Sequence, residues 1–235
     1  MSFFKDLKAA SDVQKVEDRV GGAGFTKIDA TGLYKFTIVK AYAGKSLGGA
    51  YNITIHFKED NGAKFSIVEY ITSGTEKGSK EYYLDKDGNK QPLPGYNKIK
   101  NLDNLLGYDR EFPETRLGQV MLWDYDSKAE VPVEKDIVTE WIGKKVSALI
   151  IKKLEDKYNN TTQTDIKFEV EHFLDYKTNQ TRNEKFNNLS GFKDKWLEIH
   201  TADFVVDKRV GSKESVTGTP LHNVTVESND FPFDF

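Results

Sequence analysis

There is no cysteine among the 235 residues. Its absence removes disulfide frameworks, thiolate metal sites and thiol nucleophiles together, and it suits a reducing compartment. Long apolar runs are missing as well. Nowhere do 18 apolar residues stand together, and Met1-Ser2-Phe3-Phe4-Lys5-Asp6 opens no signal-peptide core, so the expectation is a soluble, cytoplasmic protein with no membrane contact. The Asn-x-Ser/Thr triplets at Asn52, Asn160, Asn179, Asn188 and Asn223 then read as chance matches.

Catalytic equipment is equally thin. The four histidines, His56, His172, His200 and His222, are far apart in sequence and lack the spacing of a zinc site. No Gly-x-Ser-x-Gly elbow is present, and Gly44-Lys45-Ser46 lacks the upstream glycine of a phosphate loop. Asp85-Lys86-Asp87-Gly88-Asn89-Lys90 has the wrong glycine register and no closing acid for a calcium loop, so it reads as an Asp-Gly hairpin turn. Asp203 with Asp207, or Glu169 with Glu171, would be the acidic pairs of a metal-dependent nuclease, but nothing sets them above solvated strand faces. The chain reads as a binder and not an enzyme, with no cofactor and no metal expected.

Charge is uneven along the chain. The formal net charge of −3 falls wholly on the residues from Thr201 onward, which carry three bases against six acids, and residues 1–200 balance. A neutral body still builds a basic groove if its lysines cluster in space.

What is present begins with an amphipathic helical pattern, Phe3, Phe4, Leu7, Ala10, Val13, Val16 and Val20, closed by Gly21-Gly22-Ala23-Gly24. The segment 1–24 is expected to be a helical arm, docked on the core or on a partner. The period then changes to two. Strands are expected over residues 33–42, 50–58 and 63–72, the last two joined through Asn61-Gly62, and over 144–157 and 164–175. An insertion, 73–143, holds a hairpin over 81–90, a short helix over 96–106, a segment 119–125 and a helical stretch near 135–141. Three antiparallel strands, a helix-bearing connection and two more strands are the layout of an OB-fold, a five-stranded Greek-key barrel. The expected fold is therefore mainly β with a few helices, an OB-type domain over 25–206 with mixed structure at 186–206.

Residues 207–228 are rich in Ser, Thr, Gly, Lys and Glu and read as a flexible linker. It leads to Asp230, Phe231, Pro232, Phe233, Asp234 and Phe235. Three phenylalanines among acids and a proline have little reason to fold on themselves, so the expectation is a tip captured by another protein.

Lysines and tyrosines interleave on the expected strands: Lys35, Lys40, Tyr42 and Lys45 first, Tyr70 on the third, Lys77, Lys80, Tyr82 and Tyr83 beyond it, and Lys152 and Lys153 on the fourth. Single-stranded nucleic acid needs this combination, because cations track phosphates while aromatic faces stack on bases. A β-barrel protein-interaction or virion assembly module with a docking tail, in a homo-oligomer or beside a neighbouring subunit, suits the helix and the tip equally well. The interleaving is what separates the two.

The run Gly32-Leu33-Tyr34-Lys35-Phe36-Thr37-Ile38-Val39-Lys40-Ala41 with its Lys45-Ser46 turn, the start of the fourth strand at Trp141-Ile142-Gly143-Lys144-Lys145-Val146, and the acidic aromatic terminus together resemble the single-stranded DNA-binding proteins of bacteriophages. The resemblance implies one OB-fold per subunit and sequence-independent protection of single-stranded DNA in phage replication, recombination or repair, inside the infected host. It also implies a C-terminal tail that recruits replication or recombination enzymes. Bacterial tips of this kind carry a denser run of aspartates, whereas here Asp230 and Asp234 alone flank the aromatics.

Overall fold

The computed structural model describes residues 28–157, 160–210 and 215–217, so the expected N-terminal arm and the aromatic tip lie outside the described residues. A meander comes first: β1 (Gly32–Lys45), β2 (Tyr51–Glu59) and β3 (Lys64–Tyr70), paired antiparallel in sequence order. Gly62 turns the second hairpin at φ 94°, a left-handed value that costs little without a Cβ. Beside it Asn61 Oδ1 accepts from the Ala63 N–H at 2.8 Å.

The hairpin expected over 81–90 is β4 (Tyr82–Leu84) and β5 (Lys90–Pro92). Its turn is organised by Asp85, whose Oδ1 accepts from the N–H groups of Asp87 and Asn89 at 3.0 and 2.8 Å. Next comes α1 (Pro94–Leu105), with proline in the first turn, where its missing N–H costs nothing. Gly95, Ile99, Leu102 and Leu105 make its buried stripe. Gly95 approaches β3 so closely that a Cβ there would stand 2.3 Å from the Tyr70 carbonyl oxygen.

The segment expected at 119–125 belongs to a longer strand, β6 (Arg116–Asp124), which pairs in unbroken register with β7 (Ala129–Ile137). The helical stretch expected near 135–141 is corrected here. Half-buried Val131, Val133, Lys135 and Ile137 alternate with exposed Glu130, Pro132, Glu134 and Asp136, a period of two that carries the strand to Ile137. Only a single 3₁₀ turn, Thr139–Trp141, follows.

The two late strands are β8 (Lys145–Lys157) and β9 (Asn160–Leu174), and behind them stand α2 (Arg182–Asn187), α3 (Phe192–Ile199), β10 (Val205–Asp207) and β11 (Ser215–Thr217). A capping box starts α2: Thr181 Oγ1 accepts from the Glu184 N–H, and Glu184 Oε2 accepts from the Thr181 N–H. The linker expected from Asp207 is interrupted, because Asp207 completes β10 and pairs with Ser215 of β11.

The protein is mainly β with a few helices, and the described residues hold eleven strands where the sequence reading had five principal ones and a hairpin. Nine strands make one sheet, ordered β11-β10-β8-β1-β2-β3, with β9 on β8 and the β6–β7 ribbon joined to the end of β1 through β7. The sheet is not closed. No ladder joins β3 to β9 among the described residues; α1 lies against both.

Two cores result. The larger holds Phe36, Ile38, Ile55, Phe57, Ile99, Leu102, Trp141 and Ile150 between the curled sheet and α1. The smaller packs Trp196 and Phe204 onto Leu149, Ile151 and Leu174. Residues 146–151 of β8 are buried throughout, even positions toward the first core and Leu149 and Ile151 toward the second.

Candidate nucleic-acid interface

Half of the outer sheet face, over β8 and β9, is taken by the second core. The other half, over β1, β2 and β3, is open at Val68 and Tyr70, 51% and 50% exposed, and half-buried at Tyr42 and His56, where the β6–β7 ribbon reaches in. What populates it follows from a bulge between Ile38 and Lys40 in β1. Phe36 and Ile38 point inward, the bulge shifts the alternation by one residue, and Ala41 is the next to be buried, so Lys40 and Tyr42 share the outer face. Register then sets their neighbours. Lys40 lies beside His56 and Ser66, Tyr42 beside Thr54 and Val68, and Gly44 beside Asn52 and Tyr70.

Tyr42 Oη is 3.3 Å from His56 Nε2, and the two rings stack with centroids 5.8 Å apart. Burial and then the charge of Lys40 push the imidazole pKa down, so His56 is neutral near pH 7 and offers a polar flat ring. Burial raises the Tyr42 phenol, against a hydrogen bond with Thr54, and keeps it protonated. Tyr70 is 50% exposed at the end of β3, and with Val68 and Lys77 it lines an open cavity of about 620 Å³. The Lys45 ammonium stands 4.8 Å from the ring centre of Tyr51, itself 45% exposed. On the neighbouring hairpin Tyr82 takes Lys80 at 5.6 Å and Lys90 at 4.5 Å over its ring, and Tyr83 is exposed.

Not every expected lysine turns its charge to this face. Lys40 donates to the Met121 carbonyl and reaches Glu130 Oε1 at 3.3 Å, so part of its charge is spent on the β6–β7 ribbon. Lys35 stands 4.9 Å over the Tyr176 ring, opposite the lower end of β1, with Lys145 at 4.9 Å over the same ring. Lys152 and Lys153 sit beyond the start of β1, beside β10, and Lys153 is paired with Glu169. The structure keeps those two apart from Tyr42 and Tyr70.

Other cations come into place that sequence reasoning had left out. Thr37 is flanked by Lys58 and Lys145, and Lys58 in turn is opposite Lys64, which makes a row of lysines across β8, β1, β2 and β3. Lys58 and Lys64 have no ion-pair partner among the described residues, whereas Lys145 has Asp60 at 4.0 Å, and like charges directly opposite each other on a sheet are unfavourable. Lys135 adds a cation 5.9 Å from the Tyr42 ring centre, reaching in from β7. The signal was there to be read: in β2 and β3 the outward set is 52, 54, 56, 58 and 64, 66, 68, 70 once the core set 53, 55, 57 and 67 is recognised.

Among the described residues no group of three or more His, Asp or Glu side chains is arranged to hold a metal ion, and no helix is long and apolar enough to cross a membrane. No family model and no curated protein matches this chain.

Proposed function

We propose that the chain is a single-stranded DNA-binding protein that holds its strand across the open outer face of β1, β2 and β3. The observation that carries this reading is the lysine row, Lys64, Lys58 and Lys145, on the same face as Tyr42, His56 and Tyr70. Lys58 opposite Lys64 costs stability unless a polyanion takes up the charge, and exposed rings beside it supply stacking surfaces. The fold reading that goes with it is an OB-type barrel of β1, β2, β3, β8 and β9, with α1 filling the opening between β3 and β9.

In this reading phosphates are held by the lysines and bases lie against the rings, with little base preference because every base has a stackable face. The acidic aromatic segment Asp230, Phe231, Pro232, Phe233, Asp234 and Phe235 serves as the recruiting tail for replication or recombination enzymes.

The test is a titration of labelled oligothymidine with the full chain. Binding at low salt that weakens steeply as salt is added, with far weaker binding to an equal-length duplex, supports the reading. Absence of binding at low salt, or equal binding to duplex, overturns it. Deleting 228–235 leaves the oligonucleotide bound and removes capture of partner enzymes; unchanged capture overturns the role of the tail.

A further inference from the structure

Where β3 ends beside the start of α1, an open cavity of about 620 Å³ lies within the size range that takes small organic ligands. β3 gives it exposed Val68 and Tyr70, the entry to α1 gives Leu93 and Pro94, and the turn after β3 gives Thr72, Ser73 and Lys77. The surrounding backbone is tied down. Ser73 N–H donates to the Lys80 carbonyl at 2.7 Å, Leu93 N–H to that of Glu81 at 2.8 Å, and Thr75 N–H to that of Gly48 at 2.9 Å. Gly74 crowds the same Gly48 oxygen so closely that a Cβ would stand 2.7 Å from it. Walls held this way are formed before any ligand arrives, which spares the ligand the cost of ordering them.

Tyr42 stacks with His56, Tyr51 takes Lys45 and Tyr82 takes Lys80 and Lys90, whereas the Tyr70 ring has no aromatic or cationic partner among the described residues. The polar groups beside it are donors. Thr72 Oγ1 accepts from the Tyr51 N–H and Ser73 Oγ from the Lys80 N–H, both at 2.9 Å, and each hydroxyl keeps its own proton to give. Glu69 and Glu76 also line the cavity, and Lys77 is the one cation on its walls among the described residues. Lys98 answers Glu69 at 2.9 Å, which leaves Glu76 to repel an anion. The interior therefore suits a flat uncharged ring with acceptor atoms on its edge, and a phosphate only at exposed Lys77.

We infer, on the single-strand reading above, that this cavity takes one base of the bound strand, splayed out onto Tyr70 with its edge toward the Thr72 and Ser73 hydroxyls and its phosphate at Lys77. Splayed bases that stack on an aromatic ring and hydrogen-bond along their edges are a common grip on single strands. Continuity with the rest of the face favours a base over other flat rings. Lys64 and Tyr70 both point outward from β3, six residues and about 20 Å apart, so a strand whose phosphates meet the lysine row at one end reaches the cavity at the other. Between them Tyr42 and His56 offer an open stacking surface, whereas the cavity holds its ring between β3, the turn and α1. One nucleotide is gripped harder than its neighbours and fixes the register of the strand on the face.

The test uses the full chain and the shortest oligothymidine that it binds. Thymines are replaced one at a time by abasic residues, which keep the phosphate and remove the ring, and one position is expected to cost about tenfold or more in affinity. Gly48→Leu then ties that position to the cavity. Gly48 lines it outside the left-handed region, and a Cβ there meets only Ser46 Oγ at 3.9 Å, so leucine is accommodated and takes up the space. The variant is expected to weaken the intact strand by a similar factor and to add nothing to the penalty at the sensitive position, while the smaller penalties elsewhere persist. A second arm needs no variant: with 5-iododeoxyuridine at the sensitive position, irradiation of the parent complex is expected to cross-link Tyr70. Penalties that add to that of Gly48→Leu at every position, or a cross-link at Tyr42 in place of Tyr70, overturn the inference and leave DNA binding standing. A chain that binds no oligothymidine overturns both.

Discussion

Lys98 Nζ lies 2.9 Å from Glu69 Oε1, a contact that fastens α1 to the edge of β3, and at 3.4 Å it reaches Glu169 Oε1 on β9 as well. One ammonium therefore bridges the two strand edges that do not pair with each other. Burial pushes the Glu69 carboxyl up, with Lys98 opposing that shift, so the pair is held in a partly desolvated place. Replacing Lys98 with methionine leaves the Glu69 carboxylate without its cation beside Glu169, which keeps Lys153. The expected loss is about 2–4 kcal/mol in urea unfolding, and adding Glu69→Leu to the same chain recovers part of it.

Trp141 Nε1 donates to Asp103 Oδ1 at 2.8 Å, and Arg110 closes on the same carboxylate through Nε at 3.0 Å and a terminal nitrogen at 3.2 Å. Asp103 is 1% exposed. Asp103→Ala strands a buried indole N–H and takes two hydrogen bonds from a guanidinium that keeps Glu140 at 2.6 Å, and about 3 kcal/mol of stability is expected to go with it. Trp141→Phe removes one donor and is expected to cost less. Chemical denaturation of the two variants orders them.

On the open face, Tyr42→Ala and Tyr70→Ala are each expected to weaken oligothymidine binding by about tenfold, the scale of one lost stacking platform of roughly 1–3 kcal/mol. Lys58→Ala and Lys64→Ala act differently. They are expected to lower the slope of affinity against salt by about one charge each, and to leave stability unchanged or slightly improved because a like-charge pair is relieved. Anisotropy titrations at several salt concentrations separate stacking from charge.

Stability should fall between neutral and mildly acidic pH. Burial holds His172 below its ordinary pKa, with Lys98 and His200 adding to the shift and Glu171 opposing it; His56 is lowered too. Above the unfolded pKa near 6.5 both states are neutral and the fold keeps its full stability. As pH drops below that, the unfolded chain binds protons first, and stability is lost down through the folded values. Glu69, raised by burial, acts in the opposite sense at lower pH. Asp175 stays out of the window, since burial would raise it but Lys185 and the N–H groups of Thr178 and Lys177 bring it down to about 2. Urea midpoints taken at about pH 7.5 and pH 5.5 are expected to differ, and His172→Phe is expected to narrow the difference.

Much of the sheet was legible because its strands alternate. Residues 33–42, 50–58 and 63–72 announce β1, β2 and β3 by period two, and the late pair is equally plain. The ribbon was not. β7 carries glutamates, a proline and a lysine in place of the usual strand residues, and its alternation is only half-buried against exposed, so the short stretch at 135–141 looked helical. The site was half legible for a related reason. Sequence shows that Lys40 and Tyr42 are two apart, but it does not show the bulge that places them on the outer face, nor the register that sets Lys58 opposite Lys64. Lys152 and Lys153 were drawn in by residue type alone, and strand length carries them past the end of β1.

The double burial of β8 has a consequence for the order in which the chain is made. Residues 146–151 form an uncharged run free of proline and apolar but for Ser147, and one side of it is covered only when Trp196 and Phe204 have left the ribosome. Until then Leu149 and Ile151 face water on a strand of high β-propensity, the kind of window that aggregates. A nascent chain paused between β9 and α3 is the form of this protein most in need of a chaperone.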